Sequence, residues 1–141
     1  MTIKKFTIKD YNAANSLWRK TAGICSCEKC LRYDSREEVT KFLAKNPETC
    51  FIAEENGELI GTVLAGNDGR TALIYRLAVD EKYRIRGIGR ALVKKAVEAL
   101  KREGMEAVTL FCLKDNESGN AFWEKIGFTE MTEAITYKLK I

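Results

Sequence analysis

The stretch YRIRGIGRALVKKAVEAL, Tyr83 to Leu100, sets Arg84, Arg86 and Arg90 around Gly87 and Gly89 just where an apolar-periodic run begins. Leu92, Val93, Ala96, Val97, Ala99 and Leu100 recur at helical spacing, so a helix is expected from about Ile88 to Arg102, with Gly104 as its stop. Upstream lies ALIYRLAV (Ala72–Val79) and downstream EAVTLFC (Glu106–Cys112), both rich in strand-forming residues. A strand, a helical crossover and a second strand form a βαβ unit, whose two strands must run parallel. A parallel pair joined by a helix makes this an α/β chain.

Working toward the N-terminus, TCFIAEENGELIGTVLAG reads as two strands around Asn56-Gly57, a dipeptide favoured in tight hairpin turns. Asn67–Arg70 (NDGR) supplies another turn, so three strands form an antiparallel meander before the parallel pair. Ser35 and Glu38 have capping-box spacing ahead of Val39, Phe42 and Leu43, a helix that ends before Pro47. Asp10 is placed to cap an earlier helix running to about Lys20, with Ala13, Ala14, Leu17 and Trp18 inward. IKKFTI (Ile3–Ile8) alternates like a strand. Past the βαβ unit, a last helix is expected from about Glu117 to Ile126, and ITYKLKI is expected to close the sheet. The expectation is one α/β domain over residues 1–141, a mixed sheet flanked by about four helices.

Composition narrows the function classes. Apolar residues make up 45% and charged residues 31%, ordinary values for a folded globular chain. No apolar run is long enough to span a bilayer, and MTIKKFTIKD lacks the apolar core of a signal peptide, so a cytoplasmic protein is expected. The chain has no histidine, which removes Ser-His-Asp and Cys-His nucleophile systems and His-ligated metal sites. Net charge is only +4, yet Lys82, Arg84, Arg86, Arg90, Lys94 and Lys95 crowd one short span. Such a field suits a phosphate-bearing ligand or nucleic acid. Apart from Tyr83, no aromatic residue is interleaved with these cations for base stacking, so no nucleic-acid partner is expected.

A loop followed by a helix N-terminus is an anion site in principle, because the first-turn N–H groups lack helical partners and the macrodipole puts positive charge there. Glycines at 87 and 89 remove the Cβ that would hold an anion off the backbone, and Arg84 and Arg90 can add charge-assisted hydrogen bonds. A Rossmann fingerprint from Gly87 would need a small residue where Leu92 stands, and a P-loop would need Lys and Ser/Thr where Arg90 and Ala91 stand.

Arg84-Ile85-Arg86-Gly87-Ile88-Gly89 does match R/Q-x-x-G-x-G/A. With Leu77–Val79 before it and NESGNAFWEKIGF (Asn116–Phe128) after it, the chain resembles the GNAT superfamily of N-acetyltransferases from about Thr49 to Phe128. The wording of AGNDGR and FWEKIGF is most similar to a bacterial and archaeal YpeA-like group. The resemblance implies acetyl-CoA as cosubstrate, its pyrophosphate held by Arg84, Ile85, Arg86, Gly87, Ile88, Gly89 and Arg90. It implies that backbone groups at Leu77, Ala78 and Val79 meet the pantetheine arm, and it carries Asn116, Phe122 and Trp123 into the cofactor-binding set. On the residues alone, Asn116 reads equally as a helix cap, and Phe122, Ile126 and Phe128 read as core.

Trp123 departs from the family's usual tyrosine, which would protonate the leaving thiolate. An indole N–H is too weakly acidic for that, although a thiol with a pKa of about 8.5 already leaves tolerably near neutral pH. The implied reaction is direct attack of a primary amine on the thioester in a ternary complex, with no enzyme nucleophile; a catalytically weakened CoA-binding module is the alternative. Candidate bases or acceptor contacts are Tyr75, taken to share a strand face with Leu77, then Arg76, Asp68, and Glu54 or Glu55. The acceptor class, small molecule or peptide, stays open, as does monomer against homodimer. Cys25, Cys27 and Cys30 are expected to be reduced and metal-free, since four ligands are wanted for structural zinc and no fourth lies nearby.

Overall fold

Asn56 and Gly57 both take left-handed backbone, with φ of 51° and 77°, the pair of conformations a two-residue hairpin turn needs. The turn joins β2 (Phe51–Glu55) to β3 (Glu58–Asn67), and Asp68 makes the next one by accepting the N–H groups of Arg70 and Thr71. β4 (Ala72–Val79) returns antiparallel to β3, and β1 (Thr2–Lys5) pairs antiparallel with β2 on the far side. β5 (Val108–Leu110) joins β4 in parallel, giving the order β1-β2-β3-β4-β5. The mixed sheet is the one expected, antiparallel first and parallel last. The computed structural model describes residues 1–24 and 28–141, and these fall into two units, Met1–Phe111 and Cys112–Ile141.

The strands alternate between two apolar layers. α1 (Tyr11–Lys20) and α3 (Arg36–Lys45) cover one face: Tyr11, Ala14, Leu17, Trp18, Val39 and Leu43 bury against Phe6, Cys50, Ile52, Leu64 and Ala78. α4 (Ile88–Arg102) covers the other, close enough that a Cβ on Gly61 would stand 3.0 Å from Leu92 Cδ1. Buried Ile88, Leu92, Val93, Ala96, Ala99 and Leu100 form its stripe. In α1 the stripe turns slightly from the one expected, with Tyr11 inside and Ala13 exposed. Ser35 caps α3 through the Glu38 N–H, as its spacing predicts, whereas the Asp10 carboxylate accepts the Thr7 N–H instead of capping α1. A short α2 (Glu28–Tyr33), unforeseen in the sequence, brings the α-helices among the described residues to five.

Two strand irregularities matter. Ile60 is an extra residue of β3 against β2, and β4 carries one against β3: Thr62 faces Ala78 and Leu64 faces Tyr75, so Arg76 and Leu77 together oppose Val63. In the second unit, α5 (Glu117–Lys125) forms as expected, capped by Asn116. The expectation that ITYKLKI closes the sheet does not hold. The five strands found among the described residues all lie in the first unit, and Ile135, Tyr137, Leu139 and Ile141 are exposed. Alternation states which face a strand would show; without a surface to bury that face, it does not make a strand.

Candidate active site

Gly87 is the N-cap of α4 and sits at φ 76°, ψ 9°, a left-handed conformation that costs an L-residue with a Cβ about 1–2 kcal/mol. No side chain caps this end, and the first helical hydrogen bond runs from Ala91 N–H to the Gly87 carbonyl. The N–H groups of Ile88, Gly89 and Arg90 are therefore open at the positive end of the helix dipole. A Cβ built on Gly87 would meet nothing within 4 Å, so the approach to these donors is clear.

The three arginines of the loop divide in role. Arg86 forms a two-pronged ion pair with Glu55, at 2.9 and 2.8 Å, and lies 5.5 Å over the Tyr83 ring. The guanidinium holds the Glu55 carboxyl below the usual carboxylate range. Its side chain thus ties the loop to the β2–β3 turn. Arg84 and Arg90 are exposed, and neither has a carboxylate partner among the described residues. The start of the loop is fixed separately: buried Asp80 accepts Lys82 N–H at 3.0 Å and the Lys20 ammonium at 2.6 Å, while its own N–H bonds to the Ile60 carbonyl. Lys20 first, then Lys82 N–H, holds the Asp80 carboxyl below its ordinary range.

Beside this loop, β4 loses its neighbour. Its parallel ladder with β5 covers only Ala72–Ile74 against Val108–Leu110. From Tyr75 to Val79 that edge of β4 has no strand partner among the described residues. Arg76 lies in the unpaired part with φ 51°. Its Nε donates to Asp34 Oδ1 at 2.8 Å and its carbonyl accepts the Thr62 hydroxyl at 2.8 Å; both contacts are largely shielded from water. The extra residue also changes the face assignment. Thr62 and Leu64 share a face, so Tyr75 shares one with Ala78, and the strict alternation that paired Tyr75 with Leu77 fails. Tyr75 is 40% exposed, packs edge-on to Phe42, and burial raises its phenol above the ordinary value. That shift suits a hydrogen-bond donor and works against a base.

The remaining candidates are not brought together. Glu54 and Glu55 lie at the end of the sheet where β4 finishes, and Asp68 lies in the β3–β4 turn at the opposite end, its carboxylate occupied by turn N–H groups. Glu54 pairs with Lys4 at 2.9 Å. In the second unit, Asn116 Oδ1 accepts the Gly119 N–H at 3.0 Å, and Trp123 packs edge-to-face between Phe122 and Phe128, with centroids 5.1 and 5.0 Å away. Cys25 and Cys27, and the side chain of Cys30, lie outside the described residues. Among the described residues no group of His, Cys, Asp and Glu is arranged to hold a metal.

The model of the acetyltransferase (GNAT) family matches residues 11–128. The chain belongs to that family. GNAT enzymes draw their acetyl group from acetyl-CoA, and the protein is an acetyl-CoA-dependent acetyltransferase with the expected fold. An acetyltransferase of Pectobacterium atrosepticum is 29% identical over 96% of this chain and 92% of its own. Ard1 from Thermoplasma volcanium superposes with a TM-score of 0.75 at 25% identity, covering 93% of this chain and 84% of that one. PaiA N-acetyltransferase from Thermoplasma acidophilum, solved in complex with coenzyme A, reaches 0.79 at 23% identity, over 91% of this chain and 89% of that one. No helix of the GNAT chain's described residues is long and apolar enough to cross a membrane. Two residues of this GNAT protein, Asp34 and Thr62, are not singled out by its sequence: Asp34 stands among polar residues in LRYDSRE and has no local mark, and Thr62 shows only as a polar residue amid apolar neighbours in GTVLAG.

Proposed function

We propose that this protein is an N-acetyltransferase that acetylates a primary amine by direct attack within a ternary complex, acting as one domain over residues 1–141. The observation that carries the reading is the open first turn of α4. Its donors follow a left-handed glycine with clear space above it, beside exposed Arg84 and Arg90. This arrangement fits a pyrophosphate. Ile85, Arg86, Ile88 and Gly89 would contribute backbone, since the Arg86 guanidinium is engaged by Glu55. Leu77, Ala78 and Val79 would offer their main chain to the pantetheine arm along the unpaired edge of β4. Asn116, Phe122 and Trp123 complete the cofactor-binding set by resemblance.

Bound acetyl-CoA supplies the electrophile, a thioester carbonyl that an amine attacks without an enzyme nucleophile. The chain's part is to hold, orient and polarise, and fixed N–H donors are usually a large catalytic term. Tyr75 would act as a hydroxyl donor on the acceptor side, in keeping with its raised pKa. The acceptor is a small molecule or a peptide amine, in the cytoplasm, with no nucleic acid or membrane partner. The protein would work as a monomer or homodimer.

Trp123 favours a second reading. Packed between two phenylalanines, it resembles a structural residue more than an acid, as in a CoA-binding regulatory module with weakened chemistry. An amine library screened for acetyl-CoA-dependent thiol release separates the two. The transferase reading expects at least one amine to raise release above hydrolysis; tight acetyl-CoA binding without any such amine would favour the module.

A further inference from the structure

Four side chains converge on one residue of β4. The Trp18 indole N–H of α1 donates to the Thr62 hydroxyl at 2.8 Å, and that hydroxyl donates onward to the Arg76 carbonyl at 2.8 Å. The Arg76 guanidinium meets the carboxylate of Asp34, between α2 and α3, at 2.8 Å. The Tyr11 hydroxyl fixes Asp34 in turn by donating to its carbonyl at 2.6 Å. Trp18, Thr62 and Asp34 are all buried. A buried polar network whose members are all satisfied rigidifies the groups it joins.

Arg76 needs holding. It has φ 51°, a conformation that side-chain-bearing residues avoid, and it is part of the extra length in β4. It also lies two residues past Ile74, the last residue of β4 paired with β5. No β5 ladder therefore fixes the peptide groups there. Their direction is set from behind, through the Arg76 side chain and carbonyl.

We infer that Asp34 is a positioning residue: through its ion pair with Arg76, and together with the Trp18–Thr62 hydrogen bonds, it holds the left-handed Arg76 peptide and so aims the unpaired edge of β4 at the acetyl thioester. The catalytic consequence rests on the proposed acetyl-CoA site, but the conformational claim does not. Asp34 touches no substrate in this scheme. Its effect belongs in turnover, whereas acetyl-CoA affinity, anchored at the α4 N-terminus, stays nearly constant.

Glycine separates holding from touching, because it accepts φ near 51° without a clamp. Asp34→Ala, Arg76→Gly and the double variant Asp34→Ala/Arg76→Gly would be compared with the unaltered protein. Three readouts apply: acetyl-CoA hydrolysis to acetate and free thiol, which needs no acceptor; acetyl-CoA affinity by calorimetry; and amide exchange along β4. Asp34→Ala should cut hydrolysis tenfold or more, with affinity within threefold. It should speed exchange at the Arg76 and Leu77 amides at least tenfold relative to those of Ile52 and Leu92. The double variant should recover most of both losses.

Unchanged exchange at Arg76 and Leu77 in folded Asp34→Ala would overturn the inference whatever the activity. So would a double variant as impaired as Asp34→Ala, since the Arg76 side chain would then act directly. If the unaltered protein neither bound nor hydrolysed acetyl-CoA, the proposed function would fall, and the exchange arm would still decide whether Asp34 holds Arg76.

Discussion

Replacing Gly87 with alanine tests the anion site with a magnitude that can be worked out beforehand. In the free protein the new Cβ meets nothing within 4 Å, so the stability loss is conformational. Holding alanine at φ 76° costs about 1–2 kcal/mol, and the stiffer unfolded chain returns roughly 0.4–1 kcal/mol. The net destabilisation is about 0–1.6 kcal/mol, a fall in Tm of at most roughly 5 °C for a chain of this size. Acetyl-CoA affinity should fall much further, because the methyl group occupies the approach to the first-turn N–H groups. Losing one charge-assisted hydrogen bond, about 1.5–3 kcal/mol, corresponds to roughly a 10- to 150-fold weakening. Gly69→Ala is the matched control: φ is 87°, nothing lies within 4 Å, and the residue sits in the β3–β4 turn at the other end of the sheet. It should lose similar stability and no affinity. Thermal denaturation and calorimetry on both variants provide the check. A Gly87→Ala protein destabilised as expected but binding acetyl-CoA within twofold of the unaltered protein would refute the reasoning.

Trp123→Tyr restores the phenol that GNAT enzymes commonly carry. If thiolate departure limits turnover, thiol release with a working amine should rise about tenfold, below the roughly 10²–10⁴ usual for general acids because the leaving group is already good. A fall in acetyl-CoA affinity would make Trp123 a packing or binding residue, and no change in either quantity would remove it from the thioester's surroundings. Cys50 is buried, and burial pushes its thiol up to about 12, so it should resist iodoacetamide at pH 8 in the folded protein and react once unfolded, as read by mass spectrometry. Its folded pKa is the raised one. Its contribution to stability is therefore complete below the thiol's ordinary value of 9.0 and is lost as pH climbs toward about 12, which urea titration across that range would follow.

What the sequence discloses here is local chemistry and period. Asn56-Gly57, the Ser35–Glu38 spacing, the apolar stripe of α4 and the Arg/Gly loop each state a conformation within a few residues, and each is found where expected. Register is a relation between strands, so the extra residue at Arg76–Leu77 has no local mark, and with it went the facing of Tyr75. The same limit hid Asp34, whose partner is 42 residues away along the chain. It also hid the engagement of Arg86 by Glu55, which turns one apparent ligand arginine into a strut. ITYKLKI erred in the other direction, because a clean alternating pattern carries no information about whether a neighbour exists to receive it.

The ion pair between Arg86 and Glu55 also bears on how quickly a ligand arrives. Glu55 cancels one cation of the loop, so the field that extends into solvent belongs to Lys82, Arg84, Arg90, Lys94 and Lys95, which run from the loop along the exposed side of α4. A polyanion approaching from a distance would be steered by that row of charges and would meet the open first turn of α4 only on arrival. At physiological ionic strength the screening length is about 8 Å, so salt attenuates the steering while leaving the short contacts at the helix terminus nearly intact. At the proposed site, encounter and retention would therefore be divided between the charged row of loop and helix flank and the bare N-terminal end of α4.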